Sequence, residues 1–323
     1  MFFPRKPAAV RTSSREWKFV GEIAQELTFR SALVECLSRR HSSSSRVMGL
    51  QREVVAEERE VVMPPQREDA PHRYPHRSAR CSSLRCGIGK TEVMRITLPS
   101  GTLAEIDTSV PSPSMGLVIA PDIFSLRPLF DDMVARLARE WNMAVCAVEP
   151  FPGRSLGADI QPRFAAVPSL DDAHHLRDLH EAADALGTER VGLMGFCMGG
   201  MYCFKSAVSS RFDRIASFYG MIRVPNDWQS STQAEPLAML AQGDAGKVLA
   251  IIGTKDPYTP PADVSALRAV GCNVVEYTEA EHGFAHDAMR PSHRAADAAD
   301  AFARTRDWLL GVTKIEQRVF RVP

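Results

Sequence analysis

Val191-Gly192-Leu193-Met194-Gly195-Phe196-Cys197-Met198-Gly199 decides how this 323-residue chain folds. A short apolar run, Val191 to Met194, leads into Gly-x-Cys-x-Gly, the spacing of a nucleophile elbow with cysteine where serine is usual. The reason for the spacing is steric. The nucleophile sits on a strained strand-to-helix turn, and the positions two before and two after it approach too closely for side chains, so glycine at 195 and 199 meets the need. Such a turn lifts the Cys197 sulfur above a sheet and aims the unpaired N–H groups of a helix start at a reacting oxygen. Taken alone, the pentapeptide also suits a small buried cysteine, or a phosphate-cradling turn. The phosphate reading is the poorer fit, because the glycines do not fall as Gly-x-Gly-x-x-Gly.

The rest of the chain decides between these. A triad on this scaffold runs nucleophile, acid, histidine in chain order. Lys247 to Gly253 reads as a buried strand running into Thr254-Lys255-Asp256-Pro257, which puts Asp256 at a strand C-terminal end, where open α/β sheets build their sites. An aspartate before Pro257 also suits a turn. Asp263 is the rival acid, but Pro260-Pro261-Ala262-Asp263 reads as a helix start with aspartate in its first turn. The strand Asn273 to Tyr277 leads to Glu281-His282-Gly283-Phe284, so His282 lies on a loop, which suits a base that serves both nucleophile and leaving group.

With these segments in place, the chain resembles the dienelactone hydrolase family, cysteine hydrolases of the α/β-hydrolase fold. Pro121-Asp122-Ile123-Phe124, Gly195-Phe196-Cys197-Met198-Gly199-Gly200, Gly253-Thr254-Lys255-Asp256 and His282-Gly283-Phe284 carry the resemblance, which covers roughly Met94 to Gly311. It implies Cys197 as nucleophile, Asp256 as orienting acid and His282 as base, with an oxyanion hole from the backbone N–H groups of Ile123 and Met198. It also implies a carboxylate that contacts the resting thiol, typically glutamate in the family and the shorter Asp122 here. Family members acting on a carboxylated lactone carry an arginine four residues after the histidine, a position held here by His286. Histidine is only partly charged near neutral pH and lacks the bidentate fork of arginine. Arg163 stands as a second anion-binding candidate, within a segment, Asp159 to Leu170, that reads as irregular. Phe284 and Trp228 complete the substrate-contact candidates.

The chemistry follows from the side chains. A free thiol with a pKa of about 8.5 is only about 3% thiolate at pH 7, so Cys197 needs the His282 imidazole or the helix start to raise that fraction. The expected reaction is hydrolysis of a small ester or lactone through an acyl-cysteine thioester, carboxymethylenebutenolidase-like. Amides are poor candidates, since a thiolate leaves more readily than an amine unless the amine is protonated. The competing class is a non-hydrolytic binding or redox-sensing protein using Cys197 as an oxidisable thiol.

Composition points to one catalytic domain, residues 93–323, behind an extension, residues 1–92. Lys plus Arg and Asp plus Glu each number 39, giving no formal net charge. Through Val93, however, about 17 bases face about 11 acids, so the extension is basic and the remainder acidic. It is rich in Arg, Ser and Pro and reads as disordered, apart from helical spacing over Trp17 to Leu37. A transit peptide is opposed by Glu16, Glu22, Glu26 and Glu35. A nucleic-acid arm lacks a compact basic run with interleaved aromatics. The favoured account is that translation starts near Met94, so mass spectrometry of the native protein would find no earlier peptide. The chain shows no secretory signal and no apolar run of membrane-spanning length, and its seven scattered cysteines suit a reducing compartment. The expectation is a cytoplasmic enzyme without cofactor, metal, nucleic-acid or membrane partner, acting as a monomer or weak homodimer.

Strands and helices alternate along the catalytic part, which predicts a mainly parallel sheet with helices on both faces. An opening hairpin spans Met94–Leu98 and Leu103–Asp107. Further strands are predicted over Gly116–Ala120, Ala144–Val148 and Ile215–Tyr219, and helices over Pro128–Glu140, Ser169–Leu186, Ala262–Val270 and Ala295–Leu310. The elbow helix is predicted to run to Val208. The polar stretch from Asn226 to Gly246, with Trp228 and Met239, is either a cap over the site or a surface excursion. Gly89-Lys90-Thr91 lacks the first glycine and preceding strand of a P-loop, and His282 with His286 lacks the intervening glutamate of a zinc helix.

Overall fold

A computed structural model of the chain describes residues 93–312. The basic extension and the helical spacing over Trp17 to Leu37 lie outside the described residues.

Eight strands form one sheet: β1 (Met94–Thr97), β2 (Leu103–Asp107), β3 (Gly116–Ala120), β4 (Ala144–Val148), β5 (Val191–Phe196), β6 (Arg214–Phe218), β7 (Val248–Gly253) and β8 (Asn273–Tyr277). Their spatial order is β1-β2-β4-β3-β5-β6-β7-β8. The hairpin β1–β2 and the β2–β4 pair are antiparallel, and every pair from β4 to β8 is parallel. Apolar residues run continuously through β3, β4, β5 and β7 because both faces of a parallel sheet are covered.

Alternation along each strand sorts those residues into two layers. Val118, Ala120, Cys146, Leu193, Ala250 and Ile252 face one core, and Leu117, Ile119, Val145, Met194, Leu249 and Ile251 the other. Helices α1 (Pro128–Trp141) and α7 (Ala295–Leu310) cover the second face, with Phe130, Leu137, Ala301 and Trp308 buried there. Helices α2 (Ile160–Ala166), α3 (Asp172–Ala185), α4 (Met198–Lys205), α5 (Pro236–Gln242) and α6 (Pro261–Ala269) lie against the first. This is the α/β-hydrolase fold. Among the described residues no helix is long and apolar enough to cross a membrane.

Several elements differ from the sequence reading by a residue at an end, and three differ by more. The stretch read as irregular folds into α2 and a 3-10 turn, Val167–Ser169. The next helix therefore begins at Asp172 rather than Ser169, capped by the Asp171 carboxylate accepting from the N–H groups of Ala173 (2.8 Å) and His174 (3.4 Å). Helix α4 ends at Lys205 and passes into a 3-10 turn, Ser206–Val208, where the Ser206 hydroxyl donates to the Tyr202 carbonyl. The polar stretch contains α5, which packs on α4 and this turn, and Trp228 is buried with its ring 5.6 Å from that of Phe164. Below it, Lys205 and Asp172 form a buried ion pair at 2.8 Å, and Asp172 also accepts from the Ala234 N–H. That pair joins α3 and α4 to the excursion.

Candidate active site

Asp122, Cys197, Asp256 and His282 lie just past the C-terminal ends of β3, β5, β7 and β8, where parallel strands leave the sheet and loops can converge. The elbow comes first. Cys197 joins β5 to α4 with φ +55° and ψ −117°, a conformation that a side chain adopts only under strain of about 1–3 kcal/mol. The surroundings hold it there: the Cys197 N–H donates to the Phe218 carbonyl at 3.0 Å, and its carbonyl accepts from Met201. A Cβ on Gly195 would stand 2.4 Å from the Gly199 carbonyl oxygen, the close approach that the spacing requires. One on Gly199 would stand 2.0 Å from the Ala120 carbonyl oxygen, so α4 starts directly against the end of β3. Met198 is the first residue of α4, which leaves its N–H outside the helical ladder.

The acid and base loops are tied to each other. The N–H groups of Thr254 and Lys255 donate to the carbonyls of Tyr277 and Ala280, and Gly253 leaves no room for a Cβ against Ala280. Asp256 thereby comes beneath His282, with its Oδ2 accepting from Nδ1 at 2.9 Å, while Oδ1 accepts from the Tyr258 N–H at 2.9 Å. The His282 loop is held by Ser292, whose hydroxyl donates to the His282 carbonyl, and by Arg294, whose N–H donates to that of Phe284. Burial lowers the His282 pKa, but the charge of Cys197 and hydrogen bonds with Asp256 and Cys197 outweigh it and raise it to about 10. The imidazole is thus a proton acceptor fixed by a carboxylate on one side and facing the thiol on the other. Tyr258, more than one-third exposed, sets its ring edge-on to His282 at 4.9 Å.

Asp122 is held by a set of basic partners. Its carboxylate is fully buried and accepts from Arg127 (2.7 and 3.0 Å), from His286 Nε2 (2.8 Å), from Arg290 (3.3 Å) and from the Phe124 N–H (3.0 Å). Burial opposes its charge, but His286 and Arg127 more than offset this and hold the carboxyl well below the usual range. With two guanidinium groups engaging it, the shorter aspartate serves as an anchor for the turn that carries Ile123.

The substrate-contact candidates are also redistributed. His286 and Phe284 are buried, with Phe284 between the rings of Tyr219 and Tyr277. Trp228 is covered by Phe164 packing. Arg163 lies inside and donates to the carbonyls of Ile123 and Gly157 and to the Ser125 hydroxyl, so it clamps the turn that carries Ile123. Sequence reasoning missed Arg127, Arg290 and Tyr258. Arg127 and Arg290 are about one-quarter exposed and, with Arg163, place three guanidinium groups within 6 Å of the Phe124 ring centre, at 5.6, 5.6 and 5.9 Å. Only the five-residue spacing of Asp122 and Arg127 offered a signal.

Fold and site together define an α/β-hydrolase-fold hydrolase. The chain matches the dienelactone hydrolase family over residues 101–312 and belongs to it. A Methylorubrum extorquens protein provisionally named a carboxymethylenebutenolidase is 32% identical over 209 residues, covering 59% of this chain and 70% of that one. Carboxymethylenebutenolidase 2 of Cupriavidus pinatubonensis is 24% identical over 212 residues, covering 62% and 83%. Among solved structures, one from Klebsiella pneumoniae, provisionally named a dienelactone hydrolase, superposes with a TM-score of 0.58 at 23% identity over 68% of this chain and 99% of that one.

Proposed function

We propose that this protein hydrolyses a small ester or lactone with Cys197 as nucleophile, Asp256 as orienting acid and His282 as base. The observation that carries the reading is the 2.9 Å Asp256–His282 contact beside a cysteine on a strained elbow. His282 takes the thiol proton, and the sulfur attacks the carbonyl carbon to form a tetrahedral oxyanion. The Ile123 and Met198 N–H groups stabilise that oxygen, each donor contributing about 3 kcal/mol. Collapse breaks the C–O bond, and the imidazolium returns its proton to the leaving alkoxide. Water, deprotonated by His282, then attacks the thioester carbonyl; the carboxylic acid departs and the thiol is restored. In a lactone both products are one molecule, an open-chain hydroxy acid or its ketone tautomer. Asp256 holds the Nδ1–H tautomer and stabilises the imidazolium throughout.

An acyl group bearing a carboxylate fits best. The relatives' name, carboxymethylenebutenolidase, denotes such a lactone. Of the three guanidinium groups around Phe124, those of Arg127 and Arg290 are about one-quarter exposed beside the turn that carries Ile123, where an anionic substrate group can reach them. We further propose that the enzyme works without a cofactor, in the cytoplasm, as a monomer or weak homodimer.

The test is a panel of aryl esters and small lactones, each with and without a carboxylate on the acyl side, assayed with wild type and Cys197→Ala. The reading expects turnover that is lost in the variant and a higher kcat/KM for the anionic partner of each pair. Absence of turnover together with a reversible response of Cys197 to peroxide would instead favour a redox sensor.

A further inference from the structure

Four residues past the base, His286 has both ring nitrogens committed inside the protein. Nε2 lies 2.8 Å from Asp122 Oδ2 and Nδ1 2.5 Å from the Tyr219 hydroxyl, and the His286 side chain is fully buried. These contacts fix the protonation state. Burial lowers the pKa of the imidazole, with Arg290 and Arg127 nearby adding to the effect against the opposing pull of Asp122, so the ring is neutral at neutral pH. An ionised Asp122 only accepts, so Nε2 carries the proton and Nδ1 accepts from the Tyr219 hydroxyl. The Tyr219 hydroxyl oxygen in turn accepts from the His286 N–H at 3.3 Å, which leaves every polar side-chain atom of the pair satisfied.

This closed unit touches each part of the proposed machinery. Asp122 precedes Ile123 on the oxyanion-side turn. The His286 ring stacks on Phe196, the residue before the nucleophile, at 4.7 Å and 18°. Tyr219, with φ +40°, follows β6 directly, donates its N–H to the Ile251 carbonyl of β7, and sets its ring edge-on to His282 at 5.2 Å. We propose that His286 is a positioning residue, a neutral strut holding the Ile123 N–H in register with the elbow through Asp122. A satisfied buried network of this kind rigidifies what it joins. The inference rests on the proposed function, because it assigns His286 an effect on the acyl transition state rather than on the thiol.

The experiment compares wild type with His286→Leu and His286→Gln by three readouts: steady-state hydrolysis of an aryl ester, alkylation of Cys197 by iodoacetamide across pH, and amide hydrogen exchange in the peptide holding Ile123. In His286→Leu, kcat is expected to fall about 10- to 100-fold with KM within about threefold, since a slightly displaced donor matters chiefly in the transition state. Alkylation needs no oxyanion donor, so its rate and pH profile stay as in wild type, while exchange at the turn quickens. His286→Gln recovers most of the turnover and the slow exchange, because its amide can donate to Asp122 and accept from Tyr219. Wild-type kcat in the Leu variant, alkylation falling in step with kcat, or Gln no better than Leu would each overturn the strut. If the Leu variant does not fold, Tyr219→Phe removes only the donor to Nδ1; a lower kcat with unchanged alkylation supports the strut, and an unchanged kcat refutes it. If the wild type hydrolyses nothing, the proposed function fails, and the exchange readout alone still decides whether His286 orders the turn.

Discussion

Replacing Gly199 with alanine tests the assembly of the site at its tightest point. The added Cβ would lie 2.0 Å from the Ala120 carbonyl oxygen and 2.5 Å from that of Pro121, both backbone atoms that no rotamer change can move away. Ordinary carbon–oxygen contacts lie at about 3.3–3.6 Å, so the start of α4 and the end of β3 must separate by roughly 1.3 Å. Those two backbones carry Met198 and Ile123, the proposed oxyanion donors, and a displacement near 1 Å costs on the order of 100-fold in rate. Loss of one donor costs about 100- to 1,000-fold. Gly199→Ala is therefore expected to lower kcat on an aryl ester by a factor on the order of 100 to 1,000, equivalent to about 3–4 kcal/mol of barrier. Overpacking should also lower stability by about 1–3 kcal/mol in urea denaturation, leaving a folded protein to assay. A Gly199→Ala enzyme within threefold of wild-type kcat would refute the close-contact argument and the oxyanion assignment with it.

Asp256→Asn removes the acceptor that holds His282 Nδ1–H, and kcat should fall about 10,000-fold with the fold intact by circular dichroism; a loss under tenfold would remove Asp256 from the triad. The His282 imidazole, raised to about 10 chiefly by Cys197 once burial is overcome, should show a much lower midpoint in Cys197→Ala when followed by NMR; equal midpoints would dissolve the thiol–imidazole pair. Because that folded-state pKa is raised, the stability His282 contributes is fully present below its unfolded value near 6.5 and is lost as pH rises toward about 10. Unfolding free energy in wild type should therefore decline across that window more steeply than in His282→Gln, and parallel curves would count against the pairing. Lys205→Met strands the buried Asp172 carboxylate and should cost about 3–5 kcal/mol in chemical denaturation; a loss below about 1 kcal/mol would mean that the pair is solvated.

Much of this was legible in the chain. The strands Gly116–Ala120, Ala144–Val148 and Asn273–Tyr277 and the helix Ala295–Leu310 were readable to the residue, because burial of both sheet faces imposes apolar runs bounded by turn residues. Cys197, Asp256 and His282 were readable because each follows such a run. Helix α2 was hidden: Pro162 and Arg163 break its apolar spacing, and Arg163 is buried only because the carbonyls of Ile123 and Gly157 receive it. The Asp122–His286 contact spans 164 residues and depends on strand order, which alternation of strands and helices does not determine. Asp122 was assigned to the thiol by resemblance; its pairing with Arg290, 168 residues away, leaves no trace in local pattern.

The parallel order β3-β5-β6-β7-β8 makes catalysis a report on completed folding. The proposed nucleophile, acid and base come from segments far apart in the chain, and a one-residue slip in any of those pairings turns a strand over and carries its terminal loop out of reach. An assembly must include β5 through β8 to hold all three groups, and β3 to add Ile123. Recovery of turnover after dilution from denaturant should therefore trail the return of secondary structure, and a refolding yield counted by activity would score only correctly registered molecules.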